Sequence, residues 1–181
     1  MTEGPFPRLA RRTVYQNPWM TVQEDEVRFP NGATGLYGVV EKPDFVAIVA
    51  LDGQGRLHLV SQFRYPVGQR MWELPMGVSH GPPEDQARAE LREETGLTAG
   101  TLAHVGHLFQ APGFSAQGFD VFLATDLAQG ETALEVTESD LTSRAFPWPE
   151  VQRMIAGGEI TDAATIAALG LLAVKGLLPP A

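Results

Sequence analysis

Three glutamates, Glu90, Glu93 and Glu94, lie close together in the acidic stretch formed by residues 84–97. If this stretch is helical, Glu93 and Glu94 lie roughly 60° and 40° to either side of Glu90 around the helix axis. Carboxylates that are this close repel one another, and a bound divalent cation removes the repulsion. The spacing therefore indicates a divalent-metal site.

The same stretch has clear helix boundaries. Two prolines, Pro82 and Pro83, supply a preset φ at the start, and Gly96 can adopt the left-handed conformation that ends many helices. Ala87 and Leu91 form an apolar edge beside the acidic stripe. The sequence thus predicts a helix with one buried edge. The alternative is a solvated surface helix whose acids are balanced by neighbouring arginines.

The residues around this helix resemble the signature of the Nudix hydrolase family. That signature is a glycine, a loop and a helix that reads R-E-U-x-E-E-x-G-U, where U is aliphatic. Here residues 90–97 read ELREETGL, and Gly77 is the opening glycine. The resemblance implies that Glu90, Glu93 and Glu94 hold Mg²⁺ or Mn²⁺ against a diphosphate. A loop carbonyl at or next to Gly77 completes the implied ligand set.

Two features depart from the family signature. Ala89 stands where the family has an arginine just before the first helix glutamate, and the loop after Gly77 is two residues shorter. The loop glutamate of the family has no clear counterpart, although Glu84 is a displaced candidate. Losing a group that orients metal ligands typically costs about 10–100-fold in affinity or activity. The glutamates that would bind the metal are all present, whereas the arginine and the loop that would support them differ from the signature. This combination predicts an activity that is weakened but not abolished.

The rest of the chain reads as strands around this helix, followed by two further helices. Extended patterns cover YGVVEK, FVAIVAL and RLHLVSQFRY before a turn-rich segment at residues 72–77, and LAHVGHLFQ and FDVFLAT after the helix. Residues 149–157 and 161–176 predict the two helices, the second with a Thr-Asp cap. This order predicts an α/β (α+β) fold, which the resemblance specifies as a Nudix-type α/β/α sandwich with a mixed central sheet and an extra N-terminal strand region. We expect residues 1–42 to form N-terminal strands that act as a dimerisation arm, and residues 43–181 to form the hydrolase domain.

Three further segments resemble the branch of ADP-ribose and nucleoside-diphosphate-sugar pyrophosphatases. They are QFRY at 62–65, APGF at 111–114 and GEITDA at 158–163, and they occur in the expected order. The resemblance implies that Arg64 and Pro112 belong to the substrate site. An arginine there would contact a diphosphate or ribose through two hydrogen bonds.

Some of the other candidate site residues have a structural interpretation as well as a functional one. The resemblance implies that Trp19 stacks on the base across a subunit boundary, although simple packing of an N-terminal strand is the alternative. Glu138 and Asp140 lie in the loop where this branch often places a general base, and Glu93 is the third predicted catalytic group. His80 in the short loop is a candidate ligand or proton carrier, or else a solvated histidine.

The composition agrees with an enzyme that acts on a small molecule. The 181 residues, 44% of them hydrophobic, suffice for one sizeable core, and the absence of cysteine excludes disulfides and thiol catalysis. A net charge of −9 argues against nucleic-acid binding. The N-terminal MTEGPFPRLARR has no apolar run fit for a signal peptide, and the terminal GLLAVKGLLPP is too short to span a bilayer. We therefore expect a cytoplasmic protein without membrane contact.

We predict a Mg²⁺- or Mn²⁺-dependent hydrolase that cuts the diphosphate of ADP-ribose or a nucleotide sugar to a nucleoside monophosphate and a sugar phosphate. The glutamates would hold the metals that activate the attacking water. We expect a homodimer, because the extended pieces within residues 13–41 would complete the partner's pocket and cover exposed strand edges. The alternative is a Nudix-fold module with weakened catalysis that binds a nucleotide or a protein partner without efficient hydrolysis.

Overall fold

The computed structural model describes residues 4–130 and 140–180, which contain ten strands and three helices. They belong to two compact units: an N-terminal unit of Met1–Asp44 with Phe109–Gly118, and a main unit of Phe45–Leu108 with Phe119–Ala181. The strands are β1 Arg8–Asn17, β2 Met20–Arg28, β3 Thr34–Glu41, β4 Phe45–Leu51, β5 Arg56–Arg64, β6 Gln69–Glu73, β7 Met76–Val78, β8 Leu97–Phe109, β9 Gly118–Gln129 and β10 Thr142–Pro147. The helices are α1 Pro83–Thr95, α2 Trp148–Ala156 and α3 Ala163–Val174. None of these three helices is long and apolar enough to cross a membrane.

The N-terminal unit is an antiparallel three-stranded sheet in the order β1-β2-β3. A later segment of the chain, residues 109–118, hydrogen-bonds to β3. Within this segment Phe114 O accepts from Val40 N at 2.8 Å, and Gly113 O accepts from the Tyr37 hydroxyl at 2.8 Å. The strands predicted within residues 13–41 are present. The unit also takes in residues that were predicted to belong to the hydrolase domain.

Polar side chains cross-link the three strands of this sheet. The Arg11 guanidinium donates two hydrogen bonds to Asp25, at 2.6 and 2.8 Å, and a third to Glu41 at 2.7 Å. Gln23 donates to Glu41 and accepts from the Thr13 hydroxyl. Asp25 is buried in the sheet. The hydrogen bond from Arg11 lowers the pKa of Asp25 by more than burial raises it, so the carboxylate stays charged.

We expect the Arg11–Asp25 pair to make the stability depend on pH in acid. Because the folded-state pKa of Asp25 lies below its ordinary value of 3.8, the pair stabilises the fold fully above that value. The stabilisation is lost as the pH falls through the lowered pKa. Urea unfolding at about pH 6 and about pH 2.5 should show a smaller loss of unfolding free energy in Asp25→Asn than in the unchanged protein. Arg11→Met should reproduce that smaller loss, and equal losses in all three proteins would contradict the expectation.

The main unit is built on a seven-stranded mixed sheet. Five strands follow the order β10-β5-β4-β9-β8, while β6 pairs with β5 and β7 pairs with β4. β4 and β9 are parallel, whereas β10–β5, β4–β5, β4–β7 and β5–β6 are antiparallel. β4 and β5 pair only next to their connecting turn, at Ala50–His58 and Leu51–Leu57. Beyond this point the two strands separate, and β6 and β7 occupy the edges that they leave.

Helices cover both faces of this sheet. The odd-numbered residues of β4 from Phe45 to Val49 lie in one core with α2 and α3, because successive side chains of a strand point to opposite faces. The even-numbered residues from Val46 to Ala50 lie in a second core with Ala87 and Leu91 of α1. The predicted sandwich and the predicted apolar edge of α1 are therefore confirmed.

The element boundaries confirm the predicted helices and correct one segment. α1 ends at Thr95, and Gly96 follows in the left-handed conformation with φ 72°. α3 starts after Asp162, whose side chain accepts a hydrogen bond from Thr165 N at 2.7 Å. The segment predicted as turn-rich, residues 72–77, instead holds the end of β6 and the start of β7. These short strands form because they pair with the separated edges of β4 and β5. They are too short to show a periodic pattern that would predict this pairing.

Candidate functional site

Glu94 joins the C-terminal half of α1 to strand β7. Its side chain is buried, with only 1% of its surface exposed, and its Oε2 accepts a hydrogen bond from Met76 N at 3.1 Å. A carboxylate buried this deeply is stable only when it is hydrogen-bonded or paired with a cation. The solvated-helix alternative therefore fails for Glu94, because this acid faces the interior of the main unit.

Glu90 lies against the backbone of Gly77. A Cβ atom at position 77 would overlap the Glu90 carboxylate where it now lies, so glycine permits this close approach. The amide of Gln86, one helical turn earlier, donates from Nε2 to Glu90 Oε1 at 2.8 Å. The opening glycine and the first glutamate of the predicted signature are thus in direct contact.

Glu93 is more exposed than Glu94. Its side chain keeps 28% of its surface, and its Oε1 lies 3.6 Å from Arg92 Nη2. Within residues 4–130 and 140–180, no three His, Cys, Asp or Glu side chains form a ready metal cluster. Glu90 and Glu94 nevertheless both lie against β7, whose backbone carries carbonyl oxygens. Carboxylate and carbonyl oxygens are the ligands that Mg²⁺ prefers, so this donor set fits the implied metal.

Arg64 is hydrogen-bonded to Glu73, another buried acid of the main unit. Its Nε donates to both oxygens of Glu73 at 3.0 Å, and its Nη2 lies 2.5 Å from Oε2 of the same side chain. Glu73 is 1% exposed and stands on β6, directly across the hairpin from β5. Burial by itself lowers the pKa of Arg64. The hydrogen bond and charge of Glu73, together with the charges of Asp162 and Glu94, raise it by a larger amount, so the pKa of Arg64 lies above its ordinary value.

These contacts bring together motifs that are far apart in the sequence. Arg64 comes from the QFRY strand, Glu73 from the segment before Gly77, and Asp162 from the cap of α3. The Thr165 hydroxyl in the first turn of α3 accepts from Leu74 N at 3.0 Å, which fixes this helix end to the same segment. The pairing of Arg64 with Glu73 was not predicted. The hairpin register alone does not indicate it, because Glu73 lies opposite Val60 and Arg64 lies opposite Gln69.

Asp140, a predicted general base, is tied to the β5–β6 hairpin. Its Oδ2 accepts from Phe63 N at 3.2 Å and from Arg70 Nη2 at 2.7 Å, and its carbonyl accepts from Arg70 Nη1 at 3.0 Å. The second candidate, Glu138, lies outside the described residues. His80 is exposed in the loop between β7 and α1.

A cavity of about 390 Å³ opens beside the C-terminal end of α1. Glu94 and Thr95 line it from α1, together with His58 of β5 and Arg144 of β10. Burial lowers the pKa of His58 by more than the nearby Asp52 carboxylate raises it, so the imidazole is neutral near neutral pH. Glu94 thus lies between β7 on one side and a cavity with neutral and cationic groups on the other.

Trp19 and Pro112, predicted to touch substrate, both belong to the N-terminal unit. Trp19 is 73% exposed in the turn between β1 and β2, where Asn17 Oδ1 accepts from the backbone N of Trp19 and of Met20. A cavity of about 290 Å³ lies beside it and is lined by residues 16–21 and 41–43. Pro112 is exposed in the segment 109–118. An exposed indole next to a cavity is available for stacking, and the role remains a prediction.

Comparison with known proteins gives similarity over nearly the whole chain. Residues 7–40 match the family model of the nucleoside diphosphate sugar hydrolase N-terminal domain. The chain is 39% identical to an ADP-ribose pyrophosphatase of Mycobacterium tuberculosis (strain ATCC 25618 / H37Rv), over 98% of its own length and 86% of that protein. It is 30% identical to an ADP-ribose pyrophosphatase of Bacillus subtilis (strain 168), over 94% of both chains. Its fold is similar to the crystal structure of an ADP compounds hydrolase, with a TM-score of 0.84, 21% identity, and coverage of 97% and 98%.

Proposed function

Because this chain belongs to the Nudix hydrolase family, in its ADP-ribose pyrophosphatase branch, we propose that it cleaves the diphosphate of ADP-ribose or of a nucleotide sugar. The products are a nucleoside monophosphate and a sugar phosphate. One observation carries the proposal: Glu90 and Glu94 of α1 lie on Gly77 and Met76 of β7, so the two halves of the signature meet in one place. If α1 were only a solvent-exposed acidic helix, its glutamates would not contact β7.

Glu90, Glu93 and Glu94, with the carbonyl of Gly77 or Met76, are proposed to hold Mg²⁺ or Mn²⁺. When bound, a divalent cation neutralises phosphate oxygens and lowers the pKa of the attacking water. The burial of Glu94 keeps its carboxylate in one orientation, which reduces the freedom that binding must remove.

Arg64 is proposed to bind the diphosphate or the adjoining ribose. Its Nε and Nη2 are fixed by Glu73, and among the described contacts Nη1 has no hydrogen bond, so this end of the guanidinium can donate to a phosphate oxygen. The general base is proposed to be Glu138 or Asp140.

A substrate screen tests the proposal. ADP-ribose, nucleotide sugars and nucleoside triphosphates would each be incubated with Mg²⁺ or Mn²⁺, followed by a phosphatase that attacks only the terminal monoesters of the products. Phosphate released from the diphosphate diesters, and abolished by a chelator, is the expected result. If no compound is cleaved while ADP-ribose still binds, the chain is instead the binding module that Ala89 and the shortened loop would favour.

We expect the protein to be a homodimer formed through its N-terminal unit. Large apolar side chains on this unit are exposed, among them Val14, Tyr15, Trp19 and Leu36, at 53–73% of their surface. A twofold interface would cover such side chains on both copies. Light scattering at micromolar concentration should give twice the chain mass of 19.6 kDa. A mass near one chain would contradict the expectation, as would full activity after deletion of residues 1–34.

A further inference from the structure

We propose that Gln86 is a positioning residue for Glu90, an inference that rests on the metal site of the proposed function. Gln86 lies one turn before Glu90 in α1, and its Nε2 donates to Glu90 Oε1 at 2.8 Å. Side chains four residues apart share one face of a helix, so the contact forms without bending α1. Gln86 is itself half-buried, which limits its alternative rotamers.

The Gln86 amide and the Gly77 backbone together confine the Glu90 carboxylate. A free glutamate side chain has several rotamers, and their loss opposes ligand binding. An ionised carboxylate offers about four lone-pair positions, of which the Gln86 amide occupies one. Gln86 therefore orients the Glu90 carboxylate through a hydrogen bond at one of these positions.

The Gln86 amide is uncharged, unlike the arginine that the family signature has next to the first glutamate. The signature has an arginine directly before the first glutamate, where this chain has Ala89. The neighbouring Arg88 is engaged with Glu84, at 3.0 Å, on the exposed side of α1. Gln86 thus provides Glu90 with a hydrogen-bond donor that carries no positive charge.

The test compares Gln86→Met with Gln152→Met in the full chain. Methionine keeps the length and helix propensity of glutamine but cannot donate, and Gln152 is an exposed position of α2 that provides a matched control. Mn²⁺ binding is followed by the electron paramagnetic resonance of free Mn²⁺, and the midpoint of thermal unfolding is measured in parallel. Gln86→Met should raise the Mn²⁺ dissociation constant about tenfold, with an unchanged unfolding midpoint, and Gln152→Met should change neither. If Gln86→Met is less stable, Gln86→Ala serves as the second variant.

A rescue variant separates positioning from a merely structural role. Ala89→Arg introduces a donor next to Glu90, so it should improve Mn²⁺ binding more in Gln86→Met than in the unchanged chain. Equal improvement in both backgrounds, or undiminished Mn²⁺ affinity in Gln86→Met, would overturn the role of Gln86. If the unchanged chain binds no Mn²⁺ at all, the metal site of the proposed function is overturned as well.

Discussion

Replacing Glu94 by glutamine should reduce the turnover of a diphosphate substrate by roughly 100- to 10,000-fold. The substitution removes one negative charge from the metal site at nearly constant shape, and metal stabilisation of the transition state is worth several kcal/mol. The stability of the fold should change little, because the amide oxygen of glutamine can still accept the hydrogen bond from Met76 N. Turnover at saturating Mg²⁺ and urea unfolding of the same preparation measure the two effects.

The matched control for this substitution is Glu159→Gln. Glu159 is exposed and pairs with Arg153 at 2.5 Å in the connection between α2 and α3, away from the acidic helix. Surface ion pairs of this kind contribute about 0–1 kcal/mol, so both turnover and stability should stay near their original values. A Glu94→Gln variant that keeps full turnover would remove Glu94 from the site. A variant that unfolds would show that its buried charge serves the fold instead.

Replacing Arg64 by lysine should lower kcat/KM by about 10- to 100-fold, mainly through a higher KM. A lysine keeps the charge but cannot make two parallel hydrogen bonds to Glu73 while also donating to a phosphate. Hydrogen bonds to charged groups are worth about 1.5–3 kcal/mol, which corresponds to the expected range. Steady-state kinetics with ADP-ribose as the substrate measure the change.

Arg56→Lys provides the corresponding control. Arg56 pairs with Asp52 in the turn between β4 and β5, a partly exposed position with the same kind of arginine–carboxylate contact. The Arg56→Lys variant should leave both kcat and KM unchanged. If Arg64→Lys lowers kcat and leaves KM unchanged, Arg64 acts on the transition state and not on ground-state binding. If neither constant changes, the Arg64–Glu73 pair is structural.

The sequence by itself determined the acidic helix and its place in a sandwich. The limits of α1 follow from Pro83 and Gly96, and its buried edge follows from Ala87 and Leu91, because local sterics and a 3.6-residue period act within a few residues. The longer strands β4, β5, β8 and β9 also followed from local patterns. These features need no knowledge of distant parts of the chain.

Only the tertiary structure decided how the site residues are supported. The burial of Glu94, the contact of Glu90 with Gly77 and the pairing of Arg64 with Glu73 depend on β7 and β6 docking on the separated edges of β4 and β5. Such short strands carry almost no periodic signal, and their partners are set by register between distant segments. A spacing of acids therefore predicts that a metal site exists, whereas the groups that hold each acid in place emerge only when the strands are paired.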